Sequence, residues 1–201
     1  MRIFGLTGGI ATGKSTVAAH LREAHGVPVV DADQVAREVV APGSDGLNEV
    51  VSTFGAEVLD AEGRLDRAKM RARIMADPEA RSALERITHP RIFERTAAHL
   101  RRLAEAGHPL AVVEAALMVE TGSWRMYEGL IVVSCAPTTQ RARLMARDGV
   151  SAAEAERTLA AQLPMADKEA VATVVIRNDG SLEDLRDATS IAWRALTASE
   201  G

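Results

Sequence analysis

The chain has 201 residues, 47% hydrophobic and 26% charged, with a formal net charge of −4, which suits one globular domain with a proper core. The mild negative charge, without a dense basic run, argues against a nucleic-acid surface, and no apolar run reaches the roughly 18 residues of a membrane span. With one cysteine, Cys135, in an apolar run and no signal-peptide pattern, we expect a cytoplasmic protein without nucleic-acid or membrane partners.

Five short apolar runs along the chain predict buried β-strands. They lie at residues 3–6, 27–30, 110–113, 130–134 and 173–176. Helical patterns separate them, and strands that alternate with helices favour a parallel sheet covered by helices, with right-handed crossovers. The predicted fold class is therefore α/β.

The stretch GLTGGIATGKSTVA overlaps the end of the first predicted strand, and residues 8–15 fit the phosphate-loop pattern G-x-x-x-x-G-K-S/T. After Ser15 the apolar residues recur at helical spacing, so strand, glycine loop and helix follow one another as the motif requires. In such a loop, backbone N–H groups converge on phosphate oxygens, Lys14 reaches the β- and γ-phosphates, and the Ser15 hydroxyl is a ligand of Mg²⁺. The alternative is an ordinary glycine-rich turn, which this context disfavours.

Two aspartates follow the second predicted strand, in the sequence Val30-Asp31-Ala32-Asp33. In an extended segment, residues two apart share a face, and at the carboxyl end of a parallel sheet that face can look toward the phosphate loop. One carboxylate can hold Mg²⁺ through water, which we assign to Asp31. The other, Asp33, can accept the hydrogen bond of an attacking hydroxyl. Alternatively, one of the two caps the next helix.

Residues 31–109 are more than one crossover helix needs, and they carry several helical patterns. These patterns are VARE, GLNEVVSTF, DRAKMRARIM, PEARSALERI and a long one from about Arg91 to Ala106. We expect His89-Pro90 to separate the last two, because proline favours the first position of a helix. His89 is then either a turn residue or a substrate contact. A helical insertion of this kind is a natural place for an acceptor substrate.

Residues 138–171, after the fourth predicted strand, form a second helical excursion that contains QRARLMARDG. Arg143 and Arg147 lie four apart, hence on one helical face. A mobile arginine here could neutralise a transferring phosphoryl group and exclude water. For Arg143 the alternative is a charged exterior helix, and for Arg141 that alternative is preferred. A capping box at Ser151 starts the second helix.

These motifs resemble those of the dephospho-CoA kinase family, and the resemblance runs nearly end to end. The sequences that carry it are GLTGGIATGKSTVA, DAD, ITHPRI, LMVE, QRARLMARDG, AAQLPMADK and VIRNDGSLEDL. That family transfers the γ-phosphoryl group of ATP to the 3′-hydroxyl of the ribose of dephospho-CoA. The resemblance implies a P-loop kinase core with a parallel five-stranded sheet flanked by helices, a helical substrate-binding insertion and a helical lid. It implies ATP as co-substrate, Mg²⁺ and the substrate dephospho-CoA, and leaves the oligomeric state open.

The resemblance also implies roles for single residues. The catalytic residues would be Asp33, Lys14 and Arg143, with Asp33 as base or orienter and Arg143 as the closing arginine of the lid. ATP would contact Gly9, Ala11, Thr12, Gly13, Lys14, Ser15, Thr16, Arg143 and Asn178, the last near adenine. The acceptor would contact Asp33, Arg37, His89 and Glu120, and Mg²⁺ would be held by Ser15 and Asp31.

Three domains follow from the resemblance. They are a nucleotide-binding core of residues 1–35, 108–137 and 172–201, an acceptor insertion of residues 36–107, and a lid of residues 138–171.

Three positions depart from the family pattern. Ala11 stands where glycine is usual, and we expect it to be tolerated. Ala116 replaces a proline, with Val119 for phenylalanine, so we expect the shape of that loop to differ in detail. Thr173 replaces an aspartate, and we expect a polar contact there to differ.

Two rival functions stay open. A kinase of the same fold with a nucleoside, nucleotide or shikimate-type acceptor would share the glycine loop, although the large insertion and the sequences QLPMADK and RNDGS argue against it. A nucleotide-dependent switch protein is less favoured, because the chain lacks an N-K-x-D base-recognition motif.

Overall fold

A computed structural model describes residues 1–198, which include a five-stranded β-sheet. The strands are β1 (Arg2–Gly8), β2 (Val29–Asp31), β3 (Leu110–Glu114), β4 (Gly129–Ser134) and β5 (Val174–Arg177). Their order across the sheet is β2-β3-β1-β4-β5, with β1 parallel to β3 and β4, and β4 parallel to β5. The predicted α/β class, with a parallel five-stranded sheet, is confirmed.

Helices fill most of the chain between the strands. They are α1 (Lys14–His25), α2 (Ala32–Glu38), α3 (Asp45–Phe54), α4 (Arg67–Ala76), α5 (Pro78–Glu105), α6 (Pro137–Asp148), α7 (Ala152–Ala160), α8 (Met165–Ala170) and α9 (Leu182–Thr197). Short 3₁₀ turns lie at Ala56–Val58 and Ser123–Met126. Within the described residues, no helix is both long enough and apolar enough to cross a membrane.

The second strand begins later than its apolar run. The run predicted residues 27–30, whereas β2 covers Val29–Asp31. Pro28 has no N–H to donate, so it contributes only its carbonyl, which accepts the N–H of Val112 at 2.9 Å. The strand therefore starts one residue after the proline.

Helix α5 contradicts the helix boundary predicted at His89-Pro90. The helix is continuous over Pro78–Glu105, with Pro90 inside it, so His89 lies in mid-helix and is exposed. Proline in a helix interior costs about 3 kcal/mol. Packing on the N-terminal side, where Ala80 and Ile87 are buried, holds the helix together through this position. The Arg91 guanidinium also donates a hydrogen bond to the Ile87 carbonyl, at 2.7 Å.

The chain divides into two compact units, and the first is Met1–Val30 together with the chain from Leu103 onward. Its core is built mainly from valine, leucine, isoleucine and alanine of the sheet, α1 and α9. The Phe4 and Trp193 rings meet edge to face at 5.5 Å in this core. The aromatic pair is a rare large component in a chain that is only 3% aromatic.

The second unit, Asp31–Arg102, is helical. Its buried residues include Val50 and Phe54 of α3 and Met70 of α4. A Cβ atom on Gly46 would lie 2.0 Å from the Val39 carbonyl oxygen, so only glycine lets the start of α3 approach the end of α2 this closely.

Thr173 does make a polar contact. Its hydroxyl oxygen accepts the N–H of Leu130 at 2.9 Å, and its own N–H donates to the Leu130 carbonyl at 2.9 Å. Both residues lie where β4 and β5 begin, at the edge of the sheet opposite the end of β1. The departure at Thr173 therefore concerns the pairing of two strands.

Candidate active site

The glycine loop between β1 and α1 is packed too closely for most side chains. A Cβ atom at Gly8 would lie 2.3 Å from the Val133 carbonyl oxygen. At Gly13, where φ is +98°, it would lie 2.3 Å from Nδ2 of Asn178. Two of the motif glycines are thus required by space, and the second also by its left-handed backbone.

The N-terminus of α1 has no side-chain cap. Its N-cap is Gly13, whose carbonyl accepts the N–H groups of Thr16 at 3.0 Å and Val17 at 3.2 Å. Lys14 and the exposed Ser15 follow directly in the first turn. An uncapped N-terminus carries partial positive charge and suits a bound phosphate, so this part of the molecule fits the ligand that the motif predicts.

Two glutamine side chains bind the backbone of Ile10, one at its N–H and one at its carbonyl. The Gln162 side-chain oxygen accepts the Ile10 N–H at 2.8 Å, and Nε2 of Gln140 donates to the Ile10 carbonyl at 2.8 Å. Gln140 is buried in α6, and a Cβ on Gly9 would lie 2.4 Å from its Nε2. Sequence reasoning missed both glutamines, although each lies in a motif quoted above.

Asn178 ties the loop to Arg143. Its side-chain Nδ2 donates to the Thr12 carbonyl at 2.8 Å. Its backbone carbonyl accepts a hydrogen bond from Nη1 of Arg143 at 2.8 Å. Nη2 of Arg143 donates to Oδ1 of Asn178 at 3.4 Å. Thr12 is fully buried, and its hydroxyl donates to the Gly9 carbonyl at 2.8 Å. The side chain of Asn178 is therefore occupied in holding the loop.

A cavity of about 240 Å³ lies beside the start of α1. It is lined by Gly13, Thr16, Arg143, Asn178, Gly180, Leu182 and Leu185. The lining combines apolar side chains with an amide and a guanidinium, which suits a flat polar ring such as a nucleobase.

Cys135 is buried, and burial raises the pKa of its thiol. A protonated, enclosed thiol is a poor nucleophile, so Cys135 acts here as a small buried apolar residue.

The two aspartates do not share a strand face, so the prediction of an extended segment was wrong. Strand β2 ends at Asp31 and α2 begins at Ala32. Asp31 is the N-cap of α2, with Oδ1 accepting the N–H of Gln34 at 3.0 Å, and Asp33 lies in the first helical turn. The first N–H groups of a helix have no partner within the helix, and the Asp31 carboxylate accepts one of them. This cap stabilises a helix that starts directly after the strand. The capping alternative holds for Asp31.

Asp33 and Arg37 share one face of α2. They are four residues apart, so about 6 Å along the helix axis separates them. Both side chains belong to exposed residues.

Glu120 is partly buried and belongs to an ion pair that the sequence did not predict. Its Oε1 contacts Nζ of Lys168, a lysine with no exposed surface, and also accepts the N–H of Leu163 at 3.3 Å. Lys168 also donates to the Ala116 carbonyl at 3.3 Å. The loop that follows β3, where Ala116 replaces a proline, is thus fixed by side-chain contacts. Lys168 lies in AAQLPMADK, but nothing local marks a lysine as buried.

Among residues 1–198, no group of three or more His, Cys, Asp or Glu side chains could hold a metal ion by itself.

Comparisons with known proteins agree along nearly the whole chain. The sequence model of the dephospho-CoA kinase family matches residues 2–184. A dephospho-CoA kinase of Anaeromyxobacter dehalogenans is 51% identical over 185 residues, 92% of this chain and 87% of that protein.

Solved structures share the fold. One from Thermus thermophilus is 35% identical, with a TM-score of 0.83 over 100% of this chain and 98% of that one. A shikimate kinase from Acinetobacter baumannii is 16% identical, with a TM-score of 0.56 over 100% of this chain and 95% of that one, so it shares the fold alone. These likenesses confirm the predicted P-loop kinase core.

Ala11 is strained, which predicts a gain in stability for Ala11→Gly. Among the described residues it is the one non-glycine with positive φ, +59°. The left-handed conformation costs an alanine about 1–2 kcal/mol, and glycine avoids that cost but gives the unfolded chain more freedom. We expect the free energy of unfolding, measured in urea, to rise by about 0.5–1 kcal/mol. The control Ala24→Gly, at an exposed helical position of α1, should lower it by about 1 kcal/mol. Equal losses in both variants would contradict the strain.

The ion pair predicts coupling between the buried Lys168 and the partly buried Glu120. Lys168→Met leaves that carboxylate without its cation, and we expect the free energy of unfolding to fall by about 2–3 kcal/mol. Adding Glu120→Gln removes the stranded charge and keeps an acceptor for the Leu163 N–H, so the double variant should recover a large part of that loss. Urea unfolding of the four proteins gives the coupling energy. Additive losses would show that the pair does not act as a unit.

Proposed function

The chain belongs to the dephospho-CoA kinase family, and we propose that it transfers the γ-phosphoryl group of ATP to the 3′-hydroxyl of the ribose of dephospho-CoA, giving CoA and ADP. Members of this family are transferases that catalyse the last step of CoA synthesis, with ATP as co-substrate. The observation that carries the proposal is the preorganised glycine loop with an uncapped helix behind it, in a chain that matches the family over residues 2–184.

On the nucleotide side, residues 11–16 would hold the phosphates of ATP. Backbone N–H groups and the ammonium of Lys14 would bind oxygens of the β- and γ-phosphates. The cavity of about 240 Å³ beside Gly13 supports a seat for adenine, with Asn178 shaping the loop that borders it. Arg143, now bonded to Asn178, would turn to the phosphoryl group as charge develops there.

On the acceptor side, the carboxylate of Asp33 would accept the proton of the attacking hydroxyl. The 3′-oxygen bonds to the γ-phosphorus, the bond from that phosphorus to the bridging oxygen breaks, and ADP leaves with the electron pair. Such transfers need alignment and charge neutralisation, so one orienting carboxylate suffices. Arg37 and His89 would contact the acceptor, and Glu120 would act by fixing its loop through Lys168.

Mg²⁺ would neutralise phosphate charge, as it does in phosphoryl transfer generally. We assign it the hydroxyl of Ser15 and, through water, the carboxylate of Asp31 that also caps α2. A protein that supplies one or two ligands suits this ion, because Mg²⁺ keeps much of its water and takes phosphate oxygens.

The proposed division is a core of residues 1–35, 108–137 and 172–201, of which 199–201 lie outside the described residues, an acceptor insertion of residues 36–107 and a lid of residues 138–171. The compact unit Asp31–Arg102 overlaps that insertion. We place the enzyme in the cytoplasm, which a chain with one cysteine supports because it makes no internal disulfide.

The acceptor can be tested directly. Purified protein with Mg-ATP is given dephospho-CoA, AMP, shikimate or no acceptor, and ADP release is measured in parallel. We expect strong turnover with dephospho-CoA alone, with CoA as product. Turnover with AMP or shikimate in its place would transfer the function to the rival kinases, and partner-dependent hydrolysis without any acceptor would favour the switch protein.

The proposed role of Asp33 predicts that Asp33→Asn keeps ATP affinity but lowers kcat by about a hundredfold or more, the usual effect of removing a general base. Asp31→Asn is the matched control, because asparagine caps a helix as well as aspartate does. If Asp31 also holds Mg²⁺, this control will need more Mg²⁺ for half-maximal activity at an otherwise intact kcat. Unchanged turnover in Asp33→Asn would remove Asp33 from the mechanism.

A further inference from the structure

A cavity of about 620 Å³ within the unit Asp31–Arg102 holds two arginines without partners there. Arg37 reaches it from α2, and Arg67 from the first position of α4. Within this unit, neither guanidinium makes an ion pair or a hydrogen bond. Both side chains are exposed, so their guanidinium groups remain available to an anion at this cavity.

The acidic side chains at the cavity are already engaged. Arg64 binds two of them, Oδ2 of Asp60 at 2.9 Å and Oε2 of Glu62 at 2.9 Å. Asp66 caps α4 through the N–H groups of Ala68 and Lys69, and its other oxygen lies 3.3 Å from Nζ of Lys69. None of these three acidic side chains therefore pairs with Arg37 or Arg67.

The two guanidinium groups lie close enough to affect each other. Partial desolvation, followed by the positive charge of Arg37, lowers the pKa of Arg67. An arginine stays protonated at neutral pH despite such a shift, so the mutual repulsion persists. A dianion would relieve it.

A second cavity in the same unit differs from the first in the pairing of its arginines. It is larger, about 710 Å³, and also contains arginines. There, however, Arg91 pairs with Glu49 at 2.6 Å and Arg95 lies 3.5 Å from Glu38. Because two of its three arginines are thus paired with carboxylates of the protein, that cavity offers fewer cations to an anion.

The position of Arg37 along α2 indicates which anion. It follows Asp33 by four residues, about 6 Å along the axis, on the same helical face. In dephospho-CoA, the ribose carries the reacting hydroxyl at the 3′ position and, on its 5′ side, the pyrophosphate. A ribose whose 3′-hydroxyl meets Asp33 can thus direct its 5′ side along the helix toward Arg37.

We propose that Arg37 and Arg67 together bind the pyrophosphate of the acceptor, which makes Arg67 a further substrate-binding residue. This inference rests on the proposed function. The planar guanidinium can donate two parallel hydrogen bonds to one phosphate, a geometry that lysine cannot reproduce.

The test compares wild type with Arg67→Met and Arg67→Lys. Arg86→Met is the matched control, since it removes the same charge from an exposed position of α5 that lines neither cavity. The Kd of dephospho-CoA is measured by calorimetry without ATP, and kcat and the KM of each substrate are measured with the other substrate saturating, each at low and high KCl. Thermal melting checks that every variant folds.

We expect Arg67→Met to raise the Kd and KM for dephospho-CoA by about tenfold to a hundredfold, as loss of a charge-assisted hydrogen bond does, with kcat nearly kept. Its Kd should also depend less on KCl than the wild-type Kd, because one ionic contact is gone. Arg67→Lys should recover the salt dependence but only part of the affinity, and Arg86→Met should resemble wild type.

Two results would overturn the inference while leaving the proposed function intact. One is a folded Arg67→Met protein with wild-type Kd and KM for dephospho-CoA. The other is a change in KM for ATP alone, which would assign the arginines to the nucleotide phosphates. Failure of the proposed function is a separate outcome, since wild type itself would then neither bind nor phosphorylate dephospho-CoA.

Discussion

The main chain of the glycine loop is held in place by amide side chains, and the rest of the site depends on this. Gln162 accepts the N–H of Ile10, Gln140 donates to the Ile10 carbonyl, and Asn178 donates to the Thr12 carbonyl. Each comes from a different segment, so the loop has its shape before any nucleotide arrives. Donors that are already oriented cost little reorganisation when charge appears, which is the main electrostatic advantage of an enclosed site.

Neutral amides suit this task better than carboxylates. A carboxylate could accept the Ile10 N–H equally well, but it would repel the phosphates that the uncapped α1 attracts. Two other acidic side chains described above contact cations of the protein: Glu120 contacts Lys168, and Asp60 contacts Arg64. Neither carboxylate pairs with Arg37 or Arg67, the two arginines proposed to bind the acceptor.

Local patterns predicted most of the fold, and the failures have physical causes. The predicted capping box at Ser151 is present, because the interactions that make it span three residues. The boundary expected at Pro90 failed because packing before the proline outweighs its local cost. The strand-like geometry expected at Asp33 failed because Asp31 caps a helix. Lys168 and the two glutamines were missed since their partners lie far away in sequence, where periodicity carries no information.

The contacts of the glycine loop also determine whether its motif would keep its conformation in another protein. Its hydrogen-bond partners lie 130, 152 and 166 residues further along the chain. A transplant of residues 8–16 into another protein would carry the glycines and the lysine but none of these amides. The N–H and carbonyl of Ile10 would then form hydrogen bonds with water, and the backbone would lose its fixed orientation. The short motif therefore does not specify the loop conformation by itself, because that conformation also depends on side chains from distant parts of the chain.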